Sequence, residues 1–140
     1  MNPFQSLRNY EEFIYTLKER HSSIKNSTLI MVQRSKRTAI VQGEIAFEKA
    51  FRVTIKERLS CDNNQVVIES YGYEFWRSDE KIAWYDSQPH PNDPKLACTF
   101  PHHKHIPPNI KHNRIPESQI HFDQPNLPFL VHEMEVLLKT

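Results

Sequence analysis

An α+β fold is expected: an antiparallel meander sheet of about five strands, with a helix at each end. Three observations carry that expectation. Apolar residues recur at helical spacing near both ends of the chain. Strict alternation runs through "FRVTIKERL". Between them lie short β-branched and aromatic runs separated by turn residues. The first helix is expected over residues 4–20, where Phe4, Leu7, Phe13, Ile14 and Leu17 form a stripe with Tyr10 between. The sheet is expected over residues 28–86, from "TLIMVQR" through "TAIVQGEIAF", "FRVTIKERL" and "QVVIESYGYEFWR" to "KIAWYD". "RSK", "CDNN" and "SDE" read as turns between strands.

The texture changes at Pro89. Nine of the ten prolines lie between Pro89 and Pro128, so residues 89–125 read as a Pro/His-rich arm rather than a central strand or helix interior. A closing helix is expected over residues 127–138. Asn126 would be its cap, and Leu127, Leu130, Val131, Met134, Leu137 and Leu138 its stripe. At 140 residues the chain fits one domain.

Composition removes several function classes. Two glycines cannot build a glycine-cradled phosphate loop. Cys61 and Cys98 make neither a disulfide framework nor a paired-cysteine metal site, and a reducing cytoplasmic location is expected. No apolar run approaches the roughly 18 residues of a membrane helix, and the first residues lack a signal-peptide core. Charge is asymmetric. Met1 to Arg58 holds 11 Lys and Arg against 6 Asp and Glu, whereas the remainder holds 7 against 11. A basic amino-terminal half points to a polyanion or an acidic protein partner.

Glu57 interrupts an otherwise apolar face made by Phe51, Val53, Ile55 and Leu59. A lone carboxylate there is costly unless it is paired or opens into a cleft. Glu69 shares an alternation face with Tyr71 and Tyr73, and Asp86 follows Trp84 by two residues. A turn centred near Asp62 and Asn63 would set Glu57 opposite Glu69. Asp86 would return beside them, gathering three acids on one face. Such a cluster raises a carboxyl pKa or holds a divalent cation, and either suits chemistry on phosphate esters. Paired or exposed acids are the ordinary alternative.

Five of the eight histidines lie between His90 and His112. In "CTFPHHKH", His102, His103 and His105 surround Lys104. His103 and His105 would point one way from an extended strand, with His90 or Asp86 as a third zinc ligand, but the spacing matches no specific zinc pattern. Acid–base use fits better, because imidazole titrates near neutral pH. Attack of a ribose 2′-hydroxyl on the adjacent phosphate needs a base, an acid and a cation. Glu57, Asp86, His102, His103 and His105 are the candidate catalytic residues. Arg58, Glu69, Tyr73, Tyr85, His90 and Lys104 are the candidates for binding substrate. "TFPHHKH" is expected to lie as an extended segment along the sheet edge near Asp86, carrying a histidine toward Glu57 and Asp86.

The run "KERL…VVIESYGYEFWRSDEKIAWYDSQPHP…TFPHHKH" resembles the TumE-like family of small toxins from prokaryotic toxin–antitoxin pairs. The aspartate motif corresponds to "WYDSQPHP", and "TFPHHKH" is intact. A second histidine usual in the family is Pro91 here, and the usual Asn–Ala is Ser87–Gln88. The resemblance implies a toxin restrained by a cognate antitoxin. Combined with the acids and histidines, it leads to an endoribonuclease working by acid–base catalysis. A nucleotidyltransferase-type toxin using Mg²⁺ and a nucleoside triphosphate is a second reading. A non-enzymatic module binding RNA or protein is a third. RNA as a partner, homodimerisation and a divalent metal cofactor stay open.

Overall fold

The structure, a computed structural model, describes residues 2–87, 103–106, 114–116 and 119–139. The chain begins with a 3-10 turn, Pro3–Gln5, followed by helices α1 (Leu7–Tyr15) and α2 (Leu17–Arg20). The Ser6 side chain accepts from Asn9 N–H at 3.0 Å, satisfying one of the unpaired donors that every helix start leaves. The stripe behaves as its spacing predicts, for Leu7, Tyr10, Phe13, Ile14 and Leu17 are all buried. The helical region is divided at Thr16, whose hydroxyl donates back to the Glu12 carbonyl at 2.9 Å.

Among the described residues, eight strands form one antiparallel sheet. They are β1 (Asn26–Ser27), β2 (Ile30–Gln33), β3 (Thr38–Ala46), β4 (Phe51–Asp62), β5 (Gln65–Arg77), β6 (Glu80–Asp86), β7 (His103–His105) and β8 (Arg114–Pro116). The order is β1-β3-β4-β5-β6-β7-β8, with β2 also on β3. The expected meander is thus present and is extended by two short strands drawn from the Pro/His-rich arm. Helix α3 (Leu127–Leu138) closes the fold, with Pro128 in its first turn, where no amide partner is needed.

The helices share one face of the sheet. Tyr10 of α1 reaches Glu57 of β4, while Glu133 and Phe129 of α3 reach Tyr85 of β6. Between the helices and the sheet lies a single core that includes Phe4, Tyr10, Ile45, Leu59, Ile68, Tyr73, Tyr85 and Leu130. Fully burying one such large side chain contributes about 1.5–3 kcal/mol. No described element covers the other, outer face.

Two details set the register on which the site depends. The β4–β5 hairpin turns at Asn63 and Asn64, both in the left-handed region, with Asp62 opposite Gln65. This is a two-residue turn that asparagine tolerates well. A bulge between Arg58 and Leu59 then adds one residue to β5. Glu57 therefore stands opposite Tyr71 rather than Glu69. The extra residue also changes which side chains point inward, from Val66 and Ile68 before the bulge to Tyr71, Tyr73 and Phe75 after it.

Gly43 has φ 141°, and an added Cβ would lie 2.6 Å from the Thr28 carbonyl oxygen, where the chain crosses from β1 to β2. Gly72 has open space at the same test position. Gly43→Ala should therefore lose about 2 kcal/mol or more in urea unfolding. Gly72→Ala should stay within about 0.5 kcal/mol of the parent. Equal losses at the two positions would contradict the assigned close approach at Thr28.

Candidate functional site

The two faces of the sheet separate the expected site residues into two groups. On the inner face, Glu57 is wholly buried. Tyr10 donates its hydroxyl to Oε1 at 2.6 Å and Tyr73 donates to Oε2 at 2.5 Å. Asn126 Nδ2 donates to the Tyr73 hydroxyl at 3.1 Å and to the His121 carbonyl at 2.8 Å. Its Oδ1 accepts from the His121 N–H at 2.9 Å. Asn126 sits at the N-cap position, but its side chain makes no capping bond and is spent on this network instead.

Burial pushes the Glu57 carboxyl above the ordinary glutamate value, and the two tyrosine hydrogen bonds oppose that rise. Burial, and then the neighbouring Glu57 charge, hold both tyrosines well above their ordinary value. The network links α1, β4, β5 and the entry to α3. Tyr10, Glu57 and Tyr73 are all fully buried within it. Tyr85 is likewise buried and donates to Glu133 Oε1 at 2.8 Å. Lys104 turns to the same side, 3.5 Å from Glu133 Oε1 and over the Tyr85 ring.

The expected gathering of Glu57, Glu69 and Asp86 does not occur. Register places Asp86 opposite Gly72, on the strand face that alternates with buried Tyr73 and Tyr85. Asp86 is therefore an outer-face residue, whereas Glu57 is an inner one. Glu69 falls at the bulge, is exposed, and accepts from Ser60 Oγ at 2.5 Å. The inserted residue is the physical reason: it moves Glu69 out of phase with Tyr71 and Tyr73.

The outer face carries a different constellation. β7 pairs with β6 so that His103 lies opposite Asp86 and His105 opposite Trp84. The expected extended segment beside Asp86 is thus observed over His103–His105. One row across the sheet runs Lys56, Gly72, Asp86, His103, and the next runs Thr54, Glu74, Trp84, His105. The missing side chain at Gly72 leaves a groove of about 450 Å³ lined by Thr54, Lys56, Gly72, Glu74, Lys81, Trp84 and Asp86.

Local contacts hold these walls. Trp84 Nε1 donates to Asp86 Oδ2 at 3.0 Å. Tyr71 N–H donates to Ser87 Oγ at 3.0 Å, pinning the end of the strand that presents Asp86. Lys81 Nζ lies 4.2 Å from the Trp84 ring centroid and 2.7 Å from Glu74 Oε2. Partial burial pushes the Glu74 carboxyl up, but Lys81 and the Thr54 hydroxyl outweigh it and leave the group lowered. Arg58 lies on the same face, exposed, one alternation step beyond Lys56. His90 and His102 lie outside the described residues, as does Cys98. Among the described residues, no three His, Cys, Asp or Glu side chains come together as a metal cluster. No helix among them is long and apolar enough to cross a membrane.

Sequence reasoning missed Tyr10 as a partner of Glu57, Asn126 as a partner of Tyr73, and Lys56 and Gly72 as parts of the outer groove. The alternation of β4 carried a signal for Lys56, because every second residue from Arg52 to Arg58 is excluded from the apolar face. No local signal marks Tyr10, which meets Glu57 from 47 residues away.

The raised Glu57 pKa has a definite consequence. Its protonated form is favoured by folding, so its contribution is full below the unfolded value of about 4.3 and is lost as pH rises through the folded value. Between pH 4.5 and pH 8 the parent protein should lose stability relative to Glu57→Gln, which keeps a neutral group in place. Urea unfolding across this range checks it; parallel stability curves would show that Glu57 does not titrate on folding.

Comparison with known proteins follows the same residues. No curated protein and no solved structure gives a significant match to the chain. The sequence model of the family described as toxin TumE matches residues 13–135, from the end of α1 through α2 and the whole sheet to most of α3. The chain belongs to the TumE toxin family, and so is a toxin of a toxin–antitoxin system with a partner antitoxin.

Proposed function

We propose that the protein is a cytoplasmic endoribonuclease toxin whose reacting groups lie on the outer face, where β7 pairs with β6. The observation that carries this reading is the register of His103 opposite Asp86, beside the groove left by Gly72. An aspartate beside an imidazole fixes its orientation and stabilises its protonated form. Lys56 stands in the same row as Asp86 and supplies positive charge for a phosphoryl oxygen. The Trp84 ring, on the next row, offers a stacking surface for a base.

In this reading His103 accepts the proton of a ribose 2′-hydroxyl. The 2′-oxygen bonds to the adjacent phosphorus while the bond to the 5′-oxygen breaks. The leaving oxygen takes a proton from a second acid, for which His105 and His102 are the candidates. The products are a 2′,3′-cyclic phosphate and a 5′-hydroxyl end. Glu57 takes no part in the proton transfers, and Tyr73, Tyr85 and Lys104 hold the scaffold beneath the site. The antitoxin is expected to block access to the outer face.

Purified toxin should cleave single-stranded RNA, and adding its antitoxin should stop it. Asp86→Asn and His103→Ala should each lower the rate by about 100-fold or more. Glu57→Gln, although less suited to its network, should keep most of the rate once folded. Equal rates for Asp86→Asn, His103→Ala and the parent would remove the site assignment. Incorporation of labelled nucleotide into a target, with no RNA cleavage in either chelator or Mg²⁺, would favour nucleotidyl transfer instead.

A further inference from the structure

A larger groove than the one beside Asp86 also opens on the outer face. About 780 Å³ lies over β3, β4 and β5 beyond Lys56, lined by Arg34, Thr38, Ile40, Arg58, Ser60, Glu69 and Ser70 among others. Three cations converge there. Arg58 stands in register between Ile40 and Ser70, Lys56 lies one alternation step along the strand, and Arg34 enters from the β2–β3 turn. Among the described residues, none of the three enters an ion pair, whereas Arg52 and Lys81 on the same face are paired with Glu44 and Glu74. The acid of this groove, Glu69, is occupied by the Ser60 hydroxyl. Unpaired guanidinium and ammonium groups beside hydroxyls suit phosphodiester oxygens.

Lys56 lines both grooves, so the two adjoin on the outer face. Successive outward residues of β4 are about 6.7 Å apart, from a rise of roughly 3.3 Å per residue. That step is close to the separation of phosphates along an extended strand. A grooved sheet surface with an aromatic ring at one end and unpaired cations at the other fits an unpaired chain better than a duplex.

We propose that the groove of Arg34, Lys56 and Arg58 binds the sugar–phosphate backbone of single-stranded RNA to one side of the cleaved bond. It thereby sets the footprint and strand preference of the toxin. This inference rests on the reading of the outer face as an RNA-cleaving site, but the groove can be tested apart from cleavage. The basic β2–β3 turn, "RSKR", which the reaction itself does not use, becomes the end of the track.

Binding of a labelled single-stranded oligouridylate is measured with the Asp86→Asn protein, so that no cleavage intervenes. Arg34→Ala and Arg58→Ala are each added to it, with Arg8→Ala, on the opposite side of the fold, as the control. Each groove variant should weaken binding about 3- to 10-fold. Each should also reduce the slope of log K against log salt by about 0.7, the loss of one phosphate contact on a single strand. Arg8→Ala should change neither. In the cleaving parent background the same variants should raise KM and leave kcat near the parent value.

Unchanged affinity and salt slope in both groove variants would overturn the inference, even if the protein cleaves RNA. Equal affinity for a duplex of the same length would overturn the single-strand assignment. Loss of antitoxin binding with RNA binding intact would identify the groove as a dock for an acidic antitoxin segment, and would also overturn it. Groove-dependent RNA binding without cleavage by the parent would sustain the inference and defeat the nuclease reading.

Discussion

A carboxyl group sealed in the core is the constraint around which the fold is arranged. Glu57 has no access to water, so its oxygens must be satisfied by protein groups, and Tyr10 and Tyr73 do this from two different elements. Each tyrosine brings its own neighbours. Tyr10 carries α1 onto the sheet, edge-on to Phe4, and Tyr73 stacks with Tyr71 and ties Asn126 at the mouth of α3. Removing only one partner of such a set leaves a buried polar group unsatisfied, at about 1–3 kcal/mol. The network therefore fixes which face of the sheet the helices cover, and by exclusion which face is left for a ligand.

That division has a functional effect. A strand presents alternate residues to opposite faces, so the same β4 that buries Val53, Ile55 and Glu57 must present Thr54, Lys56 and Arg58 outward. The same holds for β6, where Tyr85 supports α3 while Trp84 and Asp86 face the other way. The scaffold and the candidate site thus share strands without sharing side chains. Rigid packing on one face can hold the outer residues in register while that face stays available to a nucleic acid or an antitoxin.

Much of the architecture was legible because it rests on local periodicity. The helical stripes, the alternation of "FRVTIKERL" and the oddness of a glutamate within it all reported real features. So did the pairing of the histidine segment beside Asp86, since an extended run following "KIAWYD" had an open sheet edge to join. What failed depended on one inserted residue. The bulge at Arg58 and Leu59 has no marker such as glycine; it leaves Glu69 outward beside buried Ile68 and turns Tyr71 inward, opposite Glu57. The site also depended on partners distant in sequence. Tyr10 meets Glu57 from 47 residues away, and Asn126 joins the network only through Tyr73, so neither contact had a local signal.

The central claim is that ligand chemistry belongs to the outer face and the Glu57 network to the scaffold. An NMR titration with single-stranded RNA carrying a 2′-deoxy residue at the cleavage position tests it most directly, because the ligand binds but cannot react. The Trp84 indole N–H, bonded to Asp86 at 3.0 Å, and the backbone amides of Lys56, Gly72 and His103 should shift together and saturate at one concentration. The ring resonances of Tyr10 and Tyr73 should stay in place. Shifts centred on Tyr10, Tyr73 and Asn126, with Trp84 and His103 unmoved, would contradict the division of the two faces.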